Sequence, residues 1–340
     1  VDTKTNKITN PHDKLFRETW SDPANVRSFL QHYLPAEVLK ITNFETLEIC
    51  KDSFVGKDLR EYFSDMLYKL DLSDCPGYIY VLFEHKSYHE KFIHLQLLEY
   101  MLKIWRLALK QDKKAGLPVV IPLVLCHGRS NWPTNRTRLS SLLAGPTDLL
   151  ADYIPDFSFV LYDLTRFSDD EIKGTIMTRV VMLMFKYIFD PDVAEKLPGI
   201  FSLMRELMEK ETGLQHLETV LRYLFSTVET ISTDKIKTIV EQSLSDKEGN
   251  FIMTLAEQLH KEGFEKGMQQ GVQQGMQQGI REGLMEGIEI AISFKYPDEV
   301  YQIMPMIYKI NDTKQLKMVK DVIITARRAS EIIIFLKKMG

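Results

Sequence analysis

Phe63-Ser-Asp-Met-Leu-Tyr-Lys-Leu-Asp-Leu-Ser-Asp-Cys-Pro-Gly-Tyr-Ile-Tyr-Val-Leu-Phe-Glu-His-Lys86 decides the fold. It reads as two β-strands joined by a tight turn. Residues 63–72 alternate around Met66, Tyr68 and Leu70, and residues 78–86 are apolar and aromatic, as a buried strand requires. Ser73 to Gly77 between them has the residue types of a turn. A hairpin folded about Asp74 and Cys75 sets Asp65 opposite Glu84, with Cβ atoms about 4.5–5.5 Å apart. Lys86 follows Glu84 by two residues and shares its strand face.

Two carboxylates that close repel each other unless positive charge lies between them. Two carboxylates and a lysine on one face suit a divalent metal with a cationic helper. Mg²⁺ takes a few carboxylates together with waters and phosphate oxygens. Asp65 and Glu84 are the candidate metal ligands, and Lys86 the group that orients an attacking water or faces a charged phosphate. A cross-strand salt bridge on a solvated sheet face is the plainer reading of the same spacing.

Asp65 followed by Glu84-His85-Lys86 at a strand end resembles the Asp…Glu-x-Lys core of the PD-(D/E)XK nuclease superfamily. Further segments occur in order: Pro11-His12-Asp13-Lys-Leu-Phe16, Tyr33-Leu34-Pro35, Ser64-Asp65-Met-Leu-Tyr68, Phe83-Glu84-His85-Lys86-Ser87, Pro122-Leu-Val-Leu-Cys-His-Gly128 and Tyr153-Ile-Pro-Asp-Phe157. Together they resemble the Rpn family of recombination-promoting nucleases, also known as YhgA-like transposases. The resemblance is good over roughly residues 10–165. It implies an α/β fold with a mixed central sheet flanked by helices, Mg²⁺ as cofactor, DNA as substrate, and a link to recombination, mobile DNA or defence. Many family members carry Gln where this chain has Lys86. Lysine is the usual residue of the superfamily, so the difference favours activity.

The 340 residues suggest two domains, or one with a long appendage, and the 44% hydrophobic content is ample for a core. No run is long and apolar enough to span a bilayer, and Val1 to Asn6 form no hydrophobic signal segment. Cys50, Cys75 and Cys126 are odd in number and scattered, which argues against a disulfide framework and for a reducing cytoplasm. A net charge of −4 argues against a blanket nucleic-acid binder but leaves room for a local basic groove.

Residues 13–33 have helical spacing, broken at Ser21-Asp-Pro23 with Pro23 in the first turn of a second helix. Asp13 is either a further acid for the metal site or an N-terminal cap beside His12. Residues 45–50 read as the first strand. Asp58 to Glu61 read as a charged, solvated turn. His85, His89 and His94 lack the spacing and cysteine partners of a zinc site. Residues 90–112 form a strong helix, on which Gln96 and Tyr100 share a face. This pair resembles the Gln-x-x-x-Tyr element of some PD-(D/E)XK nucleases, where Gln96 would orient water and Tyr100 a phosphate. Core packing of Tyr100 with Gln96 as its polar neighbour is the alternative. Lysines and arginines from Lys91 to Lys114 make the region basic.

Residues 119–126 read as a buried strand followed by a loop in which His127 or Arg129 can serve either DNA contact or turn formation. Residues 158–164 read as one more strand. The nuclease-like part then spans 1–166, followed by a helical extension over 167–260.

From Gly263 to Gly287 a glycine recurs every fourth residue, each followed by an apolar residue, from Phe264 to Ile288. Glycine costs about 1 kcal/mol against alanine in a helix, so a helix here calls for a closely packed partner. A period above 3.6 gives any coil a right-handed twist. A homo-oligomer through the C-terminal helices is the expected assembly; a linker is the alternative. Residues 296–340 form one or two closing helices.

Overall fold

A computed structural model describes residues 10–50, 66–73, 75–84, 91–112, 116–127, 132, 136–228 and 230–339. For a few of these, Glu84 among them, only the backbone is described. The chain is α/β, with a mixed five-stranded sheet and a helical C-terminal half. It divides into two compact units, Val1–Ala256 and Glu257–Gly340.

Helix α1 (Pro11–Trp20) and α2 (Pro23–Tyr33) are separated at Ser21-Asp22. The Asp22 carboxylate accepts from the backbone N–H groups of Ala24 and Asn25, and Pro23 sits in the first turn. Asp13 does not cap α1, as had been one expectation. Asn10 holds that position, its side chain accepting from the His12 N–H. A single turn, α3 (Ala36–Leu39), leads into β1 (Thr42–Ile49).

Strands β2 (Met66–Leu72) and β3 (Cys75–Glu84) make the expected hairpin, but with a shorter turn. Leu72 pairs with Cys75, and Val81 rather than Phe83 stands opposite Met66. The register that would have set Asp65 directly against Glu84 therefore does not hold. The physical reason lies in Ser73, whose φ of 48° supplies the left-handed conformation that a two-residue hairpin turn needs. Pro76 and Gly77, expected in the turn, instead lie in β3. Pro76 pairs with Asp71 at the start of that strand, and Gly77 leaves room for Leu72, whose Cδ1 would lie 2.6 Å from an added Cβ.

Helix α4 (Ile93–Gln111) crosses from β3 to β4 (Val119–Cys126), which lies parallel to it, and β5 (Val160–Asp163) extends the parallel part. The spatial order is β1-β2-β3-β4-β5. α4 packs its Ile93, Leu97, Met101 and Ile104 on one face of the sheet, against Tyr78, Tyr80, Val120 and Val124. The aromatic core of the other layer joins α1 and α2 to α5 (Ile176–Tyr187). There the Trp20 ring lies 4.8 Å from Phe16, 5.5 Å from Phe29 and 6.3 Å from Phe185, and the Tyr68 hydroxyl of β2 donates to the Trp20 carbonyl. Helices α6 (Val193–Leu203), α7 (Arg205–Met208), α8 (Gly213–Thr227) and α9 (Thr233–Ser243) follow, with α6 against α5 and α9, and α8 against α1.

Helix α10 runs unbroken from Asp246 to Lys295, so the glycine repeat is helical. Its last turns carry Ile288, Ile292 and, just beyond, Tyr296 into a small core with α11 (Val300–Ile307), α12 (Thr313–Thr325) and α13 (Ala329–Met339). Upstream, Phe264, Met268, Val272, Met276 and Ile280 are exposed. A Cβ added at Gly267, Gly271, Gly275, Gly279, Gly283 or Gly287 meets nothing within 4 Å beyond the helix's own nearby backbone.

This makes a direct prediction. Gly271→Ala and Gly275→Ala should each stabilise the helix by about 1 kcal/mol, read as a gain in helical ellipticity and thermal midpoint. A loss of stability on either substitution would mean that the methyl meets a partner packed on that side.

Candidate functional site

The site gathers where parallel strands β3 and β4 end. Glu84, the last residue of β3, pairs with Cys126, the last of β4, and Cys126 pairs in turn with Asp163 of β5. The chain then passes to His127, which is 2% exposed. Its ring stacks on Phe185 and Phe189 and lies 5.0 Å from the ring of His12. His12 Nδ1 is 2.8 Å from the Tyr223 hydroxyl of α8, and His127 Nδ1 is 3.2 Å from the Phe185 carbonyl oxygen. Burial holds the Tyr223 hydroxyl protonated well beyond its ordinary range. These contacts bring the start of α1, and with it half-buried Asp13, to the end of the sheet that carries Glu84. They also remove His127 from any surface role: its ring is a core element, not a DNA contact.

α4 approaches from the other face. The Tyr100 ring is buried and stacks on Tyr80 of β3 at 4.7 Å and 26°. Lys103 lies over the outer side of the pair, 5.3 Å from the Tyr100 ring centre. One turn earlier, the Gln96 amide nitrogen is buried with no hydrogen-bond partner among the described residues. A buried amide N–H without an acceptor costs about 1–3 kcal/mol. His94 is buried, with Nε2 2.9 Å from the Arg136 carbonyl oxygen and its ring edge against Phe159.

Asp65, Lys86, His85, His89, Arg129 and residues 58–61 lie outside the described residues, and so does the side chain of Glu84. Among the described residues no group of three or more His, Cys, Asp or Glu could hold a metal ion. Among the described residues of the sheet, the soft donors are otherwise engaged. The Cys126 thiol donates to the Tyr162 carbonyl, and His127 is enclosed by aromatic rings. Burial, reinforced by Glu48, pushes the Cys50 thiol up to about 11, which keeps it protonated at neutral pH. The described acid near the strand ends, half-buried Asp13, is a hard oxygen donor of the kind that Mg²⁺ takes.

Asp163 has no counterpart among the residues singled out by sequence. It is 3% exposed and accepts from the Trp132 N–H, the Thr165 N–H and hydroxyl, and Arg166 Nε. It fixes the segment after β4 to the end of β5. The only sequence signal was an Asp at the end of an apolar strand followed by Thr165 and Arg166.

A family model described as "Putative transposase, YhgA-like" matches residues 10–215. The chain belongs to that family. Family relatives include the Escherichia coli K12 protein named recombination-promoting nuclease RpnA, 32% identical over 75% of this chain and 85% of the relative. The E. coli O157:H7 protein named recombination-promoting nuclease RpnD is 29% identical over 76% of this chain and 97% of the relative. E. coli K12 RpnE, named an inactive recombination-promoting nuclease-like protein, is 33% identical over 76% of this chain and 84% of the relative. No solved structure matches. The family thus holds proteins named as nucleases and others named as inactive. No helix among the described residues is long and apolar enough to cross a membrane.

Proposed function

We propose that this chain is a metal-dependent DNA endonuclease of the PD-(D/E)XK type, acting in recombination, on mobile DNA or in defence. The observation that carries the reading is family membership alongside proteins named recombination-promoting nucleases, in a chain that has Asp65, Glu84 and Lys86 in the Asp…Glu-x-Lys order. The sheet supports it: an antiparallel hairpin whose second strand ends at Glu84, then a helical crossover to a parallel strand. Asp65 and Glu84 would hold Mg²⁺, with Asp13 at the start of α1 as a further acid. Bound there, Mg²⁺ supplies neutralisation of charge at the scissile phosphate. Lys86 orients the attacking water and faces the charge that builds on phosphorus. The Gln96 amide donates to a substrate or water oxygen and so gains its missing acceptor. Tyr100, stacked on Tyr80, keeps that turn of α4 in place.

A second reading is a catalytically silent nuclease fold that acts through its C-terminal helices. The relative named inactive, at 33% identity, is the observation that favours it. Plasmid nicking with and without Mg²⁺ separates the two, since only the first requires it.

The proposed roles also predict graded chemistry. Glu84→Gln exchanges a charged ligand for a neutral amide that binds a hard cation weakly. Lys86→Gln removes a cation that is not a ligand and keeps a hydrogen-bonding group. Lys86→Gln should retain measurable cleavage, whereas Glu84→Gln should lose it together with most Mg²⁺ affinity. Rates measured across a Mg²⁺ series decide this. Rescue of Lys86→Gln alone by high Mg²⁺ would reverse the two roles.

A further inference from the structure

Helix α4 has two apolar faces, and the sheet uses one. Ile93, Leu97, Met101 and Ile104 turn into the core. Leu95, Leu98, Leu102, Trp105 and Leu109 form a second stripe with alternating steps of three and four residues. At about 100° per residue it lies roughly a third of a turn round from the first. Leu95 is 49% exposed, Leu102 41% and Leu109 40%, while Leu98 and Trp105 are half-buried. The Trp105 indole packs in part against the sheet core and is fixed by donation to the Pro118 carbonyl at 2.8 Å, beside exposed Leu117. The outer face of a covering helix is ordinarily charged. Here it has the spacing of a coiled-coil seam, with Leu95, Leu102 and Leu109 at one core position and Leu98 and Trp105 at the other.

The charges beside the seam select its occupant. Glu99 and Arg106, both exposed, take the same flanking heptad position on its solvent side. On the other side stand buried Met101 and half-buried Ala108, which carry no charge. A parallel pair of α4 helices would set Glu99 against buried His94 and Arg106 against buried Met101. An antiparallel pair sets like flanking positions against each other. With Leu98 facing Leu109 of the second copy and Leu102 facing its Trp105, Glu99 falls beside Arg106 of the second copy, and by symmetry Arg106 falls beside its Glu99. One two-fold operation thus buries Leu98, Leu102, Trp105 and Leu109 and pairs both charges.

We propose that the outer face of α4 is a docking surface for α4 of a second copy of this chain, packed antiparallel as a two-fold dimer. This surface is distinct from the glycine-repeat helix and independent of whether the chain cuts DNA. Sedimentation equilibrium on the full-length chain across a concentration series is the test, with circular dichroism as the control for folding.

The parent should approach the mass of two chains, or of a larger even assembly if α10 also associates. Glu99→Arg replaces two attractive contacts by two repulsive ones and should weaken α4 pairing about tenfold or more. The double variant Glu99→Arg/Arg106→Glu recreates the pair with its sign reversed and should restore it. Leu102→Glu should abolish pairing. If that variant fails to fold, the charge exchange alone decides. A parent that stays at the mass of one chain overturns the proposal. So does a mass that Glu99→Arg leaves unchanged, as association through α10 alone would give, and so does a double variant no better than the single. A monomeric parent whose α4 stripe serves a different protein counts among the overturning results.

Discussion

Asp65→Ala is expected to lower DNA cleavage by about a thousandfold or more, with little change in thermal midpoint. The size follows from what the residue would do. Removing one preorganised electrostatic partner of a reacting centre typically costs about 10²–10³ in rate, and a charged metal ligand is among the strongest of such partners. The fold should tolerate the change, because Asp65 immediately precedes Met66, where the described part of β2 begins. The measurement is a plasmid-nicking time course with a calorimetric Mg²⁺ titration of both proteins. Equal rates in the presence of Mg²⁺ would dismiss Asp65 from the site. Loss of cleavage without any change in Mg²⁺ affinity would leave it catalytic but not a ligand.

Asp163→Ala should have the largest effect on stability, a loss of about 3 kcal/mol. The carboxylate is buried and takes up two backbone N–H groups, the Thr165 hydroxyl and the Arg166 guanidinium. Its removal leaves those donors without their acceptor, and each unsatisfied buried donor costs about 1–3 kcal/mol. Arg166 is partly exposed and also donates to the Trp132 carbonyl, so its share is the smallest. Asp163→Asn keeps an acceptor oxygen and should cost about half as much. Urea unfolding of the three proteins gives the ranking. A loss under about 1 kcal/mol for Asp163→Ala would show that water replaces the carboxylate at little cost.

The sequence was most legible where one residue type has one physical use. Asp22-Pro23 announced the start of α2, and the strand Val119–Cys126 was readable to the residue, although Val119 at its start is exposed. The α4 helix, and the helical form of the glycine repeat, followed from spacing. The hairpin register did not. Pro and Gly at 76 and 77 look like turn residues, yet the turn is made at Ser73, a residue type that seldom takes positive φ. The long-range contacts were silent for a different reason. Nothing in local spacing says that His12 will meet Tyr223 across 211 positions, or that His127 will leave its loop for an aromatic cage. Such pairs are fixed by packing of distant helices, which no local pattern encodes.

Helix α10 has an uneven grip along its length. Ile288 and Ile292 are fully buried in the C-terminal core, whereas the described side chains of residues 264–280 all face solvent. A continuous helix can therefore open in its middle without disturbing the core that holds its end. Amide hydrogens around Val272 should exchange with solvent orders of magnitude faster than those around Ile288. A protease that needs an extended chain would find its first cleavage point between them. The repeat thus acts as a fuse, the place where the polypeptide parts before the core of α10–α13 is breached.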